Sequence, residues 1–255
     1  KWIETRSEGM VAMNQGRGQA QEVELGARRD GTLLGLRARV IADAGAYPSQ
    51  GAYLPMLTGQ MASGPYRIPR IDFQARSYAT NTTPTAAYRG AGRPEATALL
   101  ERSLDLLAVE LDMDPVALRR INLLRAEDFP YETPTHAVYD SGDYAATLDK
   151  AVEMAGYGAL REEQRRRRQA GDPVLLGIGV SCYVEVTSPA SPTEFGGVEV
   201  DAQGMVTVRV GTASSGQGHE TAFAMLAADR LGVGMEQVIV IEGDTGRVAR
   251  GDGTC

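Results

Sequence analysis

The chain has 255 residues, 43% of them hydrophobic and 23% charged, enough for one large domain or two smaller ones with a real core. A formal net charge of −7 argues against an electrostatic nucleic-acid binder, which needs a basic face, and no apolar run approaches the roughly 20 residues of a membrane helix. No secretory signal pattern is present, and the two cysteines, Cys182 and Cys255, form no C-x-x-C pair, which points to a reducing, cytoplasmic setting and to no zinc finger or four-cysteine cluster on this chain alone.

Taken in order, the chain enters directly into Lys1-Trp2-Ile3-Glu4, and its closing Gly251-Asp252-Gly253-Thr254-Cys255 is a turn-rich stretch, so it reads as part of something larger. Residues 20–42 predict a hairpin. Val23 and Leu25, then Leu34, Leu36, Ala38 and Val40, alternate around an Asp30-Gly31 turn. Residues 43–70, rich in Gly, Pro, Ala and Tyr, predict a long loop, and loops of that length are often functional. Residues 71–79 predict a strand with Ile71, Phe73, Ala75, Ser77 and Ala79 on one face. A helix follows with Pro94 and Glu95 in its first turn and a buried stripe of Ala96, Leu99, Leu100, Ser103, Leu106, Leu107 and Leu111. Further helices are expected from Asp114-Pro115 to about Leu124, over 143–155, and over Arg161 to Gln169. The last carries Arg165-Arg166-Arg167-Arg168, read as a solvated helix because acidic residues precede it and no aromatics interleave.

After Gly171-Asp172-Pro173 the character changes. Residues 174–184 predict an apolar strand, 198–200 and 206–210 a second hairpin around Asp201 to Gly204, 220–231 a helix with Phe223, Leu226, Ala227 and Leu231 inward, and 238–241 a last strand. The division expected is 1–160, a linker at 161–173, and 174–255. No fixed-period repeat occurs.

Two glycine-rich loops stand between a strand region and a helix: Arg89-Gly90-Ala91-Gly92-Arg93, and Gly211 to His219. Helix N-termini offer unsatisfied N–H groups and the positive dipole end, and glycine lets a ligand approach them, so each is a candidate anion cradle. Either can equally be a plain turn. Neither is a P-loop or a G-x-G-x-x-G fingerprint. His219 is a candidate helix cap as readily as a ligand, and no metal-ligand spacing or serine–histidine–acid set is readable.

Ala87-Tyr88-Arg89-Gly90-Ala91-Gly92-Arg93-Pro94-Glu95-Ala96 resembles the active-site loop of molybdenum hydroxylase large subunits, the family of xanthine dehydrogenase, aldehyde oxidase and aerobic carbon monoxide dehydrogenase. Ser215-Gly216-Gln217-Gly218-His219-Glu220-Thr221 resembles their pterin-dinucleotide loop. Lys1 to Glu4 with Arg6, Gly64 to Pro69, Gly243-Asp244-Thr245 and Gly251 to Thr254 resemble further stretches in the family's order. The resemblance implies an α+β fold of mixed sheets with packed helices. Residues 1–160 would be the C-terminal part of a first cofactor-binding domain, and 174–255 the N-terminal part of a second. It implies a molybdenum–molybdopterin cytosine dinucleotide, with 2Fe-2S and FAD groups on separate small and medium partner subunits. Arg89, Gly90 and Ala91 would lie at the molybdenum centre. Arg89, Gly92, Gly216, Gln217, Gly218, His219 and Thr221 would hold the cofactor, and both loops would converge on it. Thr187 to Thr193 would fall at the substrate channel. The family's general-base glutamate would lie beyond Cys255, which makes this chain inert by itself.

Departures from the family matter too. Gly90 stands where CO-oxidising members carry the cysteine that binds copper, so no thiolate is available for a copper–molybdenum centre. Ala91 stands where xanthine-oxidising members place a phenylalanine, and it cannot stack on a purine. An aldehyde or N-heteroaromatic substrate is therefore expected. A non-catalytic truncated paralogue or assembly scaffold, a form II carbon monoxide dehydrogenase-like enzyme and a generic phosphate-binding domain stay open as alternatives.

Overall fold

The computed structural model describes residues 3–186 and 193–251. The chain divides into two compact units between Glu185 and Val186. The first opens on a short helix α1 (Arg6–Ala12), closed by a capping box in which the Thr5 hydroxyl accepts from the Glu8 N–H and the Glu8 carboxylate accepts from the Thr5 N–H. The hairpin follows as β1 (Gln19–Ala27) and β2 (Leu33–Gly45), antiparallel with Val23 opposite Ala38 and Leu25 opposite Leu36. Strict alternation buries Leu36, Ala38, Val40, Ala42 and Ala44 of β2. The stretch expected to be one long loop is not: it contains a 3-10 turn (Gln50–Ala52) and helix α2 (Leu54–Gln60), with Pro55 in the first turn. This is the crossover that β2 and β3 (Ile71–Ala79) need, because they pair in parallel and cannot be joined by a tight turn.

Helix α3 (Arg93–Glu110) packs on the sheet through Leu99, Leu100, Leu104 and Ala108. The expected stripe is corrected at Leu106, which is 56% exposed, while Leu104 is fully buried. The inward face follows the 96, 100, 104, 108 row. Helix α4 (Pro115–Asn122) starts on Asp114, whose carboxylate accepts from Val116 and Ala117 N–H. Its last residue, Asn122, accepts from the Leu33 N–H and donates to the Gly31 carbonyl, each at 2.9 Å, so the α4 end pins the hairpin turn. A two-strand ladder, β4 (Tyr131–Glu132) with β5 (Val138–Tyr139), precedes α5 (Tyr144–Met154) and α6 (Tyr157–Ala170). Residues 161–170, the greater part of the stretch read as a linker, form the C-terminal portion of α6, where Arg166 and Arg167 pair with Glu163.

The apolar strand expected at 174–184 is corrected. Among the described residues it pairs with no strand. Its side chains still alternate in exposure, which is the period the sequence carries, but ladder formation also needs a neighbouring strand. Several of its backbone groups go to side chains instead: the Val174 N–H donates to Asp172, the Leu176 carbonyl accepts from Gln164 and the Cys182 N–H donates to Glu101 at 3.0 Å.

The second unit is small. β6 (Gly196–Val200) and β7 (Val206–Val210) form the second hairpin, and β8 (Val238–Ile241) pairs in parallel with β7 after helix α7 (His219–Leu231). Phe223 and Ala227 pack on Val206, Val208 and Val210 as expected. Leu226 and Leu231 do not: they are 57% and 47% exposed, and Ala224 and Ala228 take the inner row. Among the described residues no helix is long and apolar enough to cross a membrane.

One buried ion pair ties the first unit together. Arg119, fully buried, donates to Glu101 at 2.8 Å and to Asp105 at 2.9 Å; Tyr66 donates to the other Glu101 oxygen at 2.6 Å. Burial, helped by the adjacent Glu101 charge, pushes both the Tyr66 hydroxyl and the Cys182 thiol above their ordinary pKa values. Removing one partner of such a pair strands the other, so Arg119→Leu should cost about 3–5 kcal/mol in urea unfolding. Lys150→Ala, which breaks an exposed pair with Glu153, should cost under about 1 kcal/mol. Equal losses in the two variants would contradict this reading of the core.

Candidate functional site

The first glycine loop connects the residues after β3 to the start of α3. Gly90 has φ +85° and Gly92 φ +86°, conformations that L side chains rarely adopt. At Gly92 a side chain is excluded twice, since an added Cβ would come within 2.7 Å of the Leu57 carbonyl carbon and 2.8 Å of the Thr58 nitrogen in α2. The loop closes on itself: Ala91 N–H donates to the Tyr88 carbonyl (2.8 Å), Arg93 N–H to the Gly90 carbonyl (2.9 Å) and Ala96 N–H to the Gly92 carbonyl (2.9 Å). Among the described residues the Arg89 and Gly90 N–H groups have no acceptor. Arg89 is exposed, Gly90 half-buried, and Ala91 and Gly92 buried.

Four polar side chains brace this loop. Glu95, 5% exposed, accepts the Gly92 N–H at 3.0 Å, which is the reverse half of a capping box. Arg17 meets both Glu95 oxygens at 3.2 Å and donates to the Arg89 carbonyl at 2.6 Å. Gln50 accepts the Ala87 N–H, and Arg93 donates to the Ala91 carbonyl at 3.2 Å while pairing with Glu185 at 3.1 Å. The sequence reading missed Arg17, Gln50 and Glu185 and gave Glu95 only a helix-start role. The signal for Arg17 was present: an arginine flanked by Gly16 and Gly18, immediately before β1.

The second loop belongs to the second unit. Gly216 has φ +106° and Gly218 φ +81°, and a Cβ at either would meet nothing within 4 Å. Their positive φ comes from the turn itself, and their backbone faces open space. Gln217 organises the turn by accepting from the Ser215 N–H (2.5 Å) and the Ser214 hydroxyl (3.3 Å). Helix α7 begins at His219, whose Nδ1 lies 3.3 Å from Glu242 and whose ring sits 5.3 Å from that of Phe223. Gly216, Gln217, Gly218 and Thr221 are exposed. Arg89 to Gly92 thus gather on the first unit, and Gly216 to Thr221 on the second. Thr187 to Thr193, the stretch the resemblance places at the substrate channel, lies outside the described residues except for Thr193.

No group of three or more His, Cys, Asp or Glu with metal-binding geometry occurs among the described residues. An apolar groove of about 830 Å³, lined by Leu148, Val152, Tyr157, Leu160, Ile178 and Val180, involves neither loop. Its lining offers no cluster of charged groups, so the candidate site rests on the loops. What they can do chemically is bind an anion with backbone N–H groups at a helix start.

The two glycines of the first loop should differ on substitution. Gly92→Ala combines a left-handed backbone with a clash against α2 and should lower stability by on the order of 3 kcal/mol. At Gly90 the nearest atom to an added Cβ is Pro94 Cδ, 3.3 Å away, so Gly90→Ala should cost only about 1–2 kcal/mol for the backbone. Thermal unfolding of both variants checks this, and a more harmful Gly90→Ala would contradict the packing described.

Comparison with known proteins places the chain in a family. Residues 1–123 match one molybdopterin cofactor-binding domain family and residues 150–255 match a second. The chain is 37% identical, over its whole length, to 34% of the carbon monoxide dehydrogenase large chain of Hydrogenophaga pseudoflava. It is 36% identical, again over its whole length, to 32% of the 6-hydroxypseudooxynicotine dehydrogenase complex subunit gamma of Paenarthrobacter nicotinovorans. Among solved structures, quinoline 2-oxidoreductase from Pseudomonas putida 86 matches the whole chain with 34% of its own, at a TM-score of 0.90 and 33% identity. The chain therefore spans about a third of the length of the curated relatives it matches. It belongs to the molybdopterin cofactor-binding family that contains the molybdenum-binding large subunits of xanthine dehydrogenase-type oxidoreductases.

Proposed function

We propose that this chain is the molybdenum-cofactor-binding part of a hydroxylase that oxidises an aldehyde or N-heteroaromatic carbon with oxygen from water. In this reading 1–160 and 174–255 contribute to two cofactor-binding domains joined through 161–173. The cofactor is the molybdopterin cytosine dinucleotide. Electrons leave through 2Fe-2S and FAD groups on small and medium partner subunits in the cytoplasm. The general-base glutamate is supplied from outside residues 1–255.

One observation carries the proposal. The Arg89 and Gly90 N–H groups have no acceptor among the described residues, while the Arg89 and Gly90 carbonyls and the Ala91, Gly92 and Arg93 N–H groups of the same loop are all bonded. Unpaired amides beside a helix start suit an anionic group. The open space beside Gly216 and Gly218, in a turn organised by Gln217 and by the Gly216 N–H donating to the Ser214 hydroxyl, leaves room for the phosphates and pterin. When bound, the cofactor supplies a two-electron redox centre, and the protein's share is binding, orientation and exclusion of competing ligands. Arg89, Gly90 and Ala91 would face the molybdenum end. Arg89, Gly92, Gly216, Gln217, Gly218, His219 and Thr221 would hold the rest.

Gly90 offers no side-chain ligand, so nothing at that position holds copper, and we place the chain with the copper-free members. Ala91 is too small to stack on a purine. The quinoline and 6-hydroxypseudooxynicotine named in two relatives favour an N-heteroaromatic substrate here.

The test is metal analysis of the protein purified with its associated subunits, together with identification of the nucleotide released by acid hydrolysis. Molybdenum near one per chain, no copper, and a cytidine nucleotide are expected. Protein that stays free of molybdenum when grown on molybdate would leave the scaffold reading instead. Gln217→Ala should lower molybdenum content about tenfold, as loss of a supporting contact does at other sites. Its melting temperature should move by no more than about 2 °C, because the residue is exposed and lies outside the core.

A further inference from the structure

We infer that Arg17 is a positioning residue that locks the peptide between Arg89 and Gly90 in one orientation; this rests on the reading of that loop as the molybdenum end of the cofactor site.

Arg17 has φ +69°, left-handed for a residue with a full side chain. Such positions are strained and persist only where surroundings demand them. Here the demand is visible. The neighbouring Gly16 lies so close to the loop that an added Cβ would stand 2.9 Å from Tyr88 Cβ. A tight turn then closes as the Gln19 N–H donates to the Arg17 carbonyl at 2.9 Å. The turn is pressed against the loop, and its side chain goes entirely to that loop. Nη2 donates to the Arg89 carbonyl at 2.6 Å, Nη1 meets both Glu95 oxygens at 3.2 Å, and the guanidinium carbon lies 5.2 Å over the Tyr88 ring.

The bond to the Arg89 carbonyl has a consequence for the neighbouring amide. In a planar trans peptide the C=O and the following N–H point in opposite directions. Holding the Arg89 carbonyl toward Arg17 therefore aims the Gly90 N–H away from it. Glycine at position 90, already at φ +85°, would otherwise allow that peptide plane to turn over at little cost. A structural explanation covers less. Glu95 is paired for burial by the Arg17 contact and the Gly92 N–H, but the Arg89 carbonyl is not a helix group that needs satisfying inside the protein. Helix α3 already has its Arg93-to-Gly90 and Ala96-to-Gly92 bonds. The planar fork of arginine reaches a carboxylate and a carbonyl at once, which an ammonium does not match.

The two roles separate in a double variant. Arg17→Met leaves the Glu95 carboxylate buried beside an apolar stem and should lower the melting temperature. Adding Glu95→Gln removes that charge and should return the melting temperature toward wild type, without restoring the Arg89 carbonyl bond. Arg17→Lys, which keeps the charge, is the variant to use if Arg17→Met fails to fold. The function-side readout is the Mo(V) electron paramagnetic resonance signal of the purified complex after partial reduction with dithionite. We expect it to shift in Arg17→Met and to stay shifted in Arg17→Met/Glu95→Gln at equal molybdenum content. A double-variant signal superimposable on wild type would overturn the lock. The second readout needs no cofactor: microsecond–millisecond exchange broadening in ¹⁵N relaxation should appear at Gly90 in the variants and be absent in wild type. Unchanged Gly90 relaxation would overturn the lock even in molybdenum-free protein. A wild-type protein without molybdenum would instead count against the cofactor reading.

Discussion

The carboxylate of Glu95 decides how the first glycine loop meets its helix. It is 5% exposed, and a buried carboxylate is tolerated only when it is paired and hydrogen-bonded. Both conditions are met by groups that belong to different parts of the first unit. The Gly92 N–H comes from the loop, and Arg17 comes from the turn before β1. The backbone carbonyl of Glu95 is taken by Gln21 of β1 at 3.1 Å. Thr58 of α2, itself fully buried, exchanges hydrogen bonds with Gln19 and backs onto Gly92. Turn, strand, helix and loop are therefore fixed to one another at a single point.

Further along α3 a second buried carboxylate does the same work for the core. Glu101 gathers Arg119 from α4, Tyr66 from the crossover and the Cys182 N–H from the extended segment. With α3 held at its start and middle, the loop at its N-terminus inherits a fixed direction. Electrostatics then favour an anionic ligand there: the helix start presents the positive end of its dipole, and two loop amides keep their hydrogens unclaimed among the described residues. Preorganisation of this kind means that little of the binding free energy is lost to ordering the site.

Much of this was legible in the sequence, for reasons that differ by element. Both hairpins were readable because alternation of period two and an Asp-Gly or Gly-containing turn are local signals. Helix α3 was readable from Pro94, Glu95 and its apolar row, although Leu104 took the place given to Leu106. The crossover helix α2 was hidden, since Leu54-Pro55-Met56-Leu57-Thr58-Gly59-Gln60 is short and glycine-containing, and it exists chiefly because β2 and β3 are parallel. Residues 174–184 carried a strand's period without a partner strand. In α7 Phe223 and Ala227 meet the sheet as the period predicts, while Leu226 and Leu231, expected inward, are exposed and the small Ala224 and Ala228 are buried instead. At the site, the glycines were visible from the motif, but their brace was not: Arg17 lies 72 residues from its carbonyl acceptor, and no local pattern reports such a contact.

The claim at the centre of this account is that the loop is built in advance and leaves two amides for the cofactor. Residue-resolved amide hydrogen exchange on the cofactor-free and cofactor-loaded protein tests it most directly. The account predicts a Gly92 amide that is protected in both forms, and Arg89 and Gly90 amides that exchange freely without cofactor and become protected when it binds. Arg89 and Gly90 amides that exchange alike in both forms, or a Gly92 amide that gains protection only on loading, would contradict it.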